Sequence, residues 1–576
     1  MSDKIKQKIA LLIIVLIATL LRFTGVNWDQ NTHLHPDERF LTMVGTGLKI
    51  TSNLNKYLDP KTSTLNPVNV LDDQGNKKYS FFVYGSLPIT INKIFAVATG
   101  NDTYHGFTLS GRMLSALFDL LTVLLLFKII EVFEKNKVVN KNIKYWAAFF
   151  YAVSVLPIQL SHFFAVDTFL TFFLFMSLYL IIRFYYYKNY YLVILSGAFL
   201  GFAFASKITA LFFMPLIALF IPFTYLHDIP ISDKSFSILL AKNKKYIFLS
   251  FVSILIFIFT TYLSLRLSNP YMFEDASFLN PQISKLLMQN WKTLKSWEAK
   301  DVWFPPAVQW LNRTPILFSL WNMAVFGIGL PYFFLVIIGS FIIIIKKRNF
   351  ILVTILLWSG VFFMYQSTQS VKAIRYFIFM YPFLALLAAI GWNYIIDKQR
   401  PYIKLFCLLI ILIWPISFLS IYIKPHSRIQ ASDWIYNTLP PGSTIAWEVW
   451  DDPLPLILPH HQGKFYNLLE LHVFDPDTPE KWDKLNSILS QSDYYILSSN
   501  RAWGSMPRVP SLYPTTTQFY KDLFSGDRGF IKIAEFTSYP TLQYLGIPLK
   551  IPDDSAEESF TVYDHPKVMI FKNTER

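Results

Sequence analysis

The sequence predicts a polytopic α-helical membrane protein with about eleven transmembrane helices and a soluble α/β domain at its C-terminal end. Three observations lead there. Hydrophobic residues make up 53% of the chain and charged residues only 16%, too little charge for a soluble protein of this length. Apolar runs at 9–25, 113–130, 168–187, 247–264, 330–345 and 403–423 meet the length of about 20 residues that crosses a bilayer as a helix. Near Lys424 these runs stop, and short β-like runs alternate with helical patterns.

The elements follow in order. Lys4, Lys6 and Lys8 precede the first apolar run, which places the N-terminus in the cytoplasm and makes 8–25 a retained first helix. Residues 26–106 form the first outer loop, with turns at Asp59-Pro60, Asn66-Pro67 and Asp72–Gly75. If 83–99 spanned the membrane, Lys135, Lys137, Lys141 and Lys144 would fall outside, so it reads as a helix lying at the outer interface. Spanning helices are then expected at 107–131, 145–161, 167–187, 190–205, 208–226, 246–266, 322–345, 350–365, 374–396 and 402–423. The inner loops between them collect Lys242, Lys244, Lys245, Lys346, Lys347, Arg348, Lys398, Arg400 and Lys404. Residues 1–423 are thus a transmembrane domain and 424–576 a soluble extracytoplasmic α/β domain. In the latter, strands are expected at 443–447, 494–497, 560–563 and 568–571, and helices at 429–437 and 479–491.

The net charge of +14 does not point to nucleic acid, because the lysines and arginines gather in short loops between apolar segments. Cys407 is the single cysteine, which excludes an intrachain disulfide and any CxxC metal or redox site.

This topology carries Asp37, Glu38 and Asp167 to the outer face, together with Arg112, His162, Lys207, Arg266, Glu274, Lys372 and Arg375. Ionisable groups at a bilayer boundary are costly unless they are used, so the run His33–Phe40 is a functional-site candidate. An outward-facing site lacks ATP and nucleotide sugars; its simplest activated donor is a sugar on a polyprenyl phosphate. That chemistry needs cations for the phosphate, a carboxylate for the acceptor proton, and a groove for the prenyl tail. Arg375, Lys372, Arg112 and Lys207 suit the first task; Asp37 and Asp167 compete for the second. Blander readings stand beside these. Each aspartate could merely stabilise a helix N-terminus, and Arg375 and Lys372 could snorkel. His33, His35 and His162 lack the spacing of a zinc site. Glu448 with Asp451-Asp452 reads as a solvated loop before a cation site.

Taken together, His35-Pro36-Asp37-Glu38, Tyr84–Pro88, Gly111–Ser115, Asp167, Ser206-Lys207, Gly327–Pro331 and Arg375-Tyr376 followed by Tyr381-Pro382 resemble the GT-C fold glycosyltransferases. More narrowly, they resemble the protein O-mannosyltransferase and aminoarabinose transferase superfamily, over residues 1–423. The segments Trp447–Pro455 and Tyr563–Val568 resemble the outer domains of bacterial members. The resemblance implies an inverting glycosyltransferase that moves a sugar from a polyprenyl-phosphate donor to an acceptor hydroxyl of a glycan, lipid or protein on the outer face. It implies Asp37, paired with Glu38, as base or acceptor-binding acid and Asp167 as the second-loop acid. Arg375, with Arg112 and Lys207, would bind phosphate, and His162, Lys372 and Tyr376 complete the substrate-binding set. Metal use varies across the fold and no convincing metal set is present, which leaves a divalent cation as an option. A transporter or flippase of lipid-linked glycans is the alternative; it would hold its polar groups near the bilayer midplane. A structural or assembly protein would tolerate a double change at Asp37 and Asp167.

Overall fold

The computed structural model describes residues 3–226, 244–297, 304–346, 349–461 and 463–576. Lys242, Lys347 and Arg348, expected in inner loops, lie outside the described residues. The helical part begins with α1 (Asp3–Phe23), α2 (Pro36–Gly47), α3 (Leu87–Ala98) and α4 (Tyr104–Lys135). Helices α5 (Ile143–Ala152), α6 (Val155–Ser161), α7 (Asp167–Tyr187), α8 (Tyr190–Ser206), α9 (Met214–Leu226) and α10 (Lys244–Ser268) follow. Next come α11 (Lys285–Ser296), α12 (Leu330–Ile345), α13 (Phe350–Thr368), α14 (Tyr381–Ile395) and α15 (Pro401–Ile423).

Among the described residues, seven helices are long and apolar enough to cross a membrane, and nine if each of two bent pairs is one span. All eleven segments expected to span are helical. Two fall short of the criterion: α1 retains Lys4, Lys6, Lys8 and Arg22, and α8 has only 17 residues. The expected helix 322–345 is broken, its halves bent by 117°. Gly329, at φ +87, turns the chain there and Pro331 restarts it. The segment 145–161 bends by 55° between α5 and α6. Helix α3 has 12 residues, about 18 Å at 1.5 Å per residue and too short to cross.

Close backbone approach and paired charges hold the bundle. A Cβ at Gly339 would lie 1.8 Å from the Leu387 carbonyl oxygen, so α12 and α14 touch through glycine, as small residues allow in a bilayer. Buried Arg22 pairs with Asp119 at 2.6 Å and donates to the Ala152 carbonyl, tying α1 to α4 and α5.

The C-terminal part carries one sheet: β1 (Thr444–Glu448), β2 (Asn467–Leu471), β3 (Tyr494–Leu497), β4 (Phe530–Phe536) and β5 (Val568–Asn573), in the order β2-β1-β3-β5-β4. β1 runs parallel to β2 and β3, whereas β5 is antiparallel to β3 and β4. Alternation along β3 feeds two cores. Tyr495 and Leu497 pack with Trp482 and Phe519, of the helices Pro479–Gln491 and Pro514–Ser525. Tyr494 and Ile496 pack with Ile435 of the helix Ser427–Thr438. The expected strand 560–563 is instead the end of a short helix, Glu558–Thr561. Its Phe560 leaves the sheet domain to pack on Phe326 and Phe418 in the membrane core, a burial that contributes about 1.5–3 kcal/mol. Strands β2 and β4 were not anticipated; β2 is largely exposed and β4 carries a bulge between Lys532 and Ala534, so neither shows clean alternation.

Candidate active site

The site grows from the start of α2. Pro36 sits in its first turn, and His35 caps it, accepting from the Glu38 amide on Nδ1. Burial holds the His35 imidazole down at about 4, neutral at pH 7 and able to accept. Asp37 and Glu38 follow in the first turn, where the helix dipole favours acids. Adjacent helical residues point about 100° apart, and the two acids part company accordingly.

Glu38 turns inward. It is fully buried and takes a fork from Arg112, 2.8 Å from Nε and 2.5 Å from Nη2, while Arg112 also grips Asp29 at 2.8 and 2.9 Å. The guanidinium lies 4.8 Å over the Trp28 ring. Glu38 further accepts from the Phe164 amide at 2.7 Å, three residues before Asp167. The knot thereby sets where the second acid stands relative to the first. His162 joins the same scaffold: its ring nitrogens meet the Ile158 and Thr24 carbonyls, and it stacks on Tyr422 at 3.6 Å.

Asp37 turns outward, 27% exposed, and accepts from Arg375 Nη1 at 2.6 Å. Burial works to raise its carboxyl, but Arg375, with His35 and Lys207, outweighs burial and holds it at about 2. Asp167 opens α7 and accepts from Lys207 Nζ at 2.7 Å. Lys207 lies 5.2 Å over the Tyr376 ring, and Arg375 approaches the same ring at 5.7 Å. Tyr84 closes the group. Burial pushes its phenol well up, and the charges of Asp37 and Asp167 add to the effect. The Gly85 amide donates to the Ser206 carbonyl, and a Cβ at Gly85 would lie 1.9 Å from the Ala205 oxygen. Only glycine lets the Tyr84 strand lie against the Lys207 segment so closely.

Asp37, Asp167, Arg375, Lys207 and Tyr376 therefore meet at one end of the bundle. Glu38, Arg112 and His162 form the scaffold behind it. Lys372 is buried and donates to the Ser370 carbonyl. Arg266, buried at the end of α10, donates to the Asp275 and Ser277 carbonyls and lies 4.2 Å over Phe273.

The C-terminal domain reaches this site through residues that sequence reasoning left unassigned. Glu557 accepts from the Ile374 amide at 2.8 Å, next to Arg375, and burial pushes its carboxyl up to about 7. The Tyr563 ring lies 4.4 Å from His35. Among the described residues, Arg375 Nε and Glu557 Oε2 are buried without hydrogen-bond partners and flank a cavity that His35 and Tyr563 also line. Asp451 and Asp452 are not a solvated loop: both pair with buried Arg428, and Asp452 also with Arg39. Glu448 is buried against the Tyr495 and Tyr520 hydroxyls. One group among the described residues, Asp433, His460 and His461 on the sheet domain, has three ligand atoms within 4.8 Å of one another, well apart in sequence from the acids of the site.

Residues 105–262 match the family described as Dolichyl-phosphate-mannose-protein mannosyltransferase, a stretch that holds Arg112, His162, Asp167 and Lys207. The matched stretch lies within residues 1–423, over which the motif resemblance was read, and its description agrees with that resemblance. No curated protein matches the chain. Solved structures similar to it include the Archaeoglobus fulgidus oligosaccharyltransferase AglB in complex with an inhibitory peptide and a dolichol-phosphate. That chain is 13% identical with a TM-score of 0.48, covering 98% of this chain and 78% of that one. ArnT from Cupriavidus metallidurans bound to undecaprenyl phosphate is 11% identical, TM-score 0.43, covering 99% and 98%. The S. cerevisiae protein O-mannosyltransferase Pmt1-Pmt2 complex bound to the sugar donor is 17% identical, TM-score 0.28, covering 46% and 35%.

Proposed function

We propose that this protein is an inverting glycosyltransferase that moves a sugar from a polyprenyl-phosphate donor to an acceptor hydroxyl on the outer face of the membrane. In this reading residues 1–423 carry the catalysis, the N-terminus is cytoplasmic, and 424–576 lie outside. The observation that carries it is the meeting of Asp37, Asp167, Arg375 and Lys207, from four distant segments, around Tyr376.

The roles follow from the chemistry of each group. Arg375 and Lys207 take up the charge that develops on the leaving phosphate, the first as a planar fork and the second as a point charge. Asp37 receives the acceptor proton. Held at about 2 by Arg375, it is a weak base until the donor phosphate competes for the guanidinium; its proton affinity then rises toward an ordinary carboxylate. The acceptor oxygen attacks the anomeric carbon opposite the phosphate and gives its proton to Asp37. The bond from that carbon to the phosphate oxygen breaks, the electron pair leaves on polyprenyl phosphate, and the configuration inverts. Asp167 orients Lys207; Glu38, Arg112 and His162 are positioning residues that fix the spacing of the two aspartates.

A transporter would hold its polar groups near mid-membrane, whereas these cluster at the end of the bundle that meets the C-terminal domain. The test is transfer from a polyprenyl-phosphate-linked hexose by the purified protein in nanodiscs. Asp37→Asn is expected to lose about 10²–10⁴-fold, the range of a general base; full activity in that variant would remove Asp37 from the reaction.

A further inference from the structure

Beside the acids a shallow cleft, about 40 Å³ where it is enclosed, opens between the first outer loop and the segment 269–290. Tyr84 is the wall it shares with the Asp37 site: the next residue, Gly85, donates its amide to the Ser206 carbonyl, directly before the Lys207 that pairs with Asp167. Among the described residues, no Asp, Glu, Lys or Arg lines the cleft. Its floor is apolar, with Phe82, Met272 and Leu286. Its polar groups are neutral and only partly used. Asn269 accepts from Ser86 on Oδ1, leaving its amide protons, and Asn290 donates to the Ser80 carbonyl, leaving its oxygen. The Tyr84 hydroxyl finds no hydrogen-bond partner among the described residues.

From the far end of α11, whose residues line the cleft, a row of rings leads outward. Phe81 lies 5.2 Å from Trp297, Trp297 stacks on Phe304 at 5.1 Å, and Phe304 meets Trp450 edge-on at 5.8 Å. Trp450 is 41% exposed and sits at φ +82, a conformation a bulky residue rarely adopts. Arg501 donates to its carbonyl and holds it there. Trp450 is thus an exposed tryptophan in a strained conformation, with its backbone fixed by a partly buried arginine.

We propose that this cleft and its aromatic row bind the acceptor, and that the acceptor is a neutral oligosaccharide; the inference rests on the glycosyltransferase reading above and specifies its substrate. A sugar ring offers what this surface lacks. Its hydroxyls both donate and accept, matching the spare amide and phenol groups, and its C–H faces stack on aromatic rings. An anionic acceptor would bury its charge in the cleft without a counter-charge. The reacting hydroxyl passes Tyr84 to reach Asp37.

The experiment uses the full chain in nanodiscs with a polyprenyl-phosphate-linked hexose and three acceptors: neutral oligosaccharides of two to six hexoses, an acidic oligosaccharide, and a Ser/Thr peptide. The neutral series is expected to be used, with KM falling as length grows. Leu286, 38% exposed at the cleft, is changed to Trp to narrow it. Leu286→Trp is expected to raise the KM for neutral glycan about tenfold, equivalent to about 1.4 kcal/mol, with donor KM moving less than twofold. Trp450→Ala, an exposed change that spares folding, is expected to raise KM about fivefold for the hexasaccharide and not for the disaccharide, the scale of one aromatic contact. Preference for the peptide or the acidic glycan overturns the inference, as does a glycan KM unmoved in both variants, while donor turnover dependent on Asp37 persists. Absence of any donor turnover overturns the glycosyltransferase reading itself.

Discussion

Replacing Arg375 by Gln isolates the ion pair at the centre of the site. The guanidinium holds Asp37 at about 2 against an ordinary 3.8, which is about 2 kcal/mol in favour of the ionised carboxylate at about 1.4 kcal/mol per tenfold. Both partners are only 27% exposed, so solvent screens the pair only in part. Because the folded-state value is depressed, this stabilisation is present above 3.8 and is lost as pH falls toward 2. In Arg375→Gln, burial remains and its chief opponent is gone, so the Asp37 carboxyl rises to the ordinary range or above. Two consequences follow in a transfer assay run from pH 3 to 8. The acid limb of kcat/KM, which reports the free enzyme, moves up into the range of an ordinary carboxylate, whereas the wild-type limb lies below the assay range. Loss of the charge-assisted contact to phosphate, about 1.5–3 kcal/mol, lowers kcat/KM for the donor roughly 10- to 100-fold. Arg375→Lys keeps the charge without the fork and falls between. An unmoved acid limb with undiminished kcat/KM in Arg375→Gln would refute the coupling of Asp37 to Arg375.

Three further outcomes are expected. Glu38→Gln or Arg112→Met breaks a fully buried pair, lowering stability by about 3–5 kcal/mol and with it Tm, whereas Asp37→Asn loses only the weaker, partly exposed pair with Arg375 and lowers Tm less; equal Tm in all three would contradict the division of roles between neighbouring acids. Lys207→Met removes the partner of Asp167 and is expected to raise donor KM about tenfold, the weight of one charge-assisted bond; an unaltered donor KM would place Lys207 outside the phosphate site. His565 lies buried between Asp553 and Asp564; burial pulls its imidazole down, the two carboxylates override this, and it titrates at about 10. That stabilisation is full below the ordinary 6.5 and is lost as pH rises through about 10. Wild-type Tm should therefore drop across that interval and His565→Gln should lack the drop, as a thermal-melt series in alkaline buffers would show.

Asp37, Asp167, Lys207 and Arg375 were legible because each is an ionisable group at the end of an apolar run, where the bilayer makes an idle charge costly. Their pairing was not, since Asp37 and Arg375 lie 338 positions apart and no local pattern joins them. Asp37 and Glu38 are adjacent in the sequence; the 100° step between them along α2 decides which meets Arg375 and which the Arg112 knot. Tyr84 was visible within its Tyr84–Pro88 motif, but its function as a shared wall depends on Gly85 lying against the Ala205 backbone. Glu557 gave no signal, and Tyr563 showed only as the start of the Tyr563–Val568 motif with no role attached, because their contacts with Ile374 and His35 exist only once the sheet domain has docked. The Phe560 run showed β-like alternation, yet its apolar side belongs to the membrane core. Most of the helices were recoverable from hydropathy alone; the break at Gly327–Pro331 hid inside a continuous apolar stretch, where composition is uniform and only the glycine backbone marks the bend.

The most direct test of the central claim is an electron cryo-microscopy structure of the protein with polyprenyl phosphate bound. The account predicts phosphate density within hydrogen-bond reach of both Arg375 and Lys207, with the 2.6 Å contact between Arg375 and Asp37 lengthened or opened as the phosphate takes its share. Phosphate bound elsewhere, or beside an Arg375–Asp37 pair left intact, would contradict it.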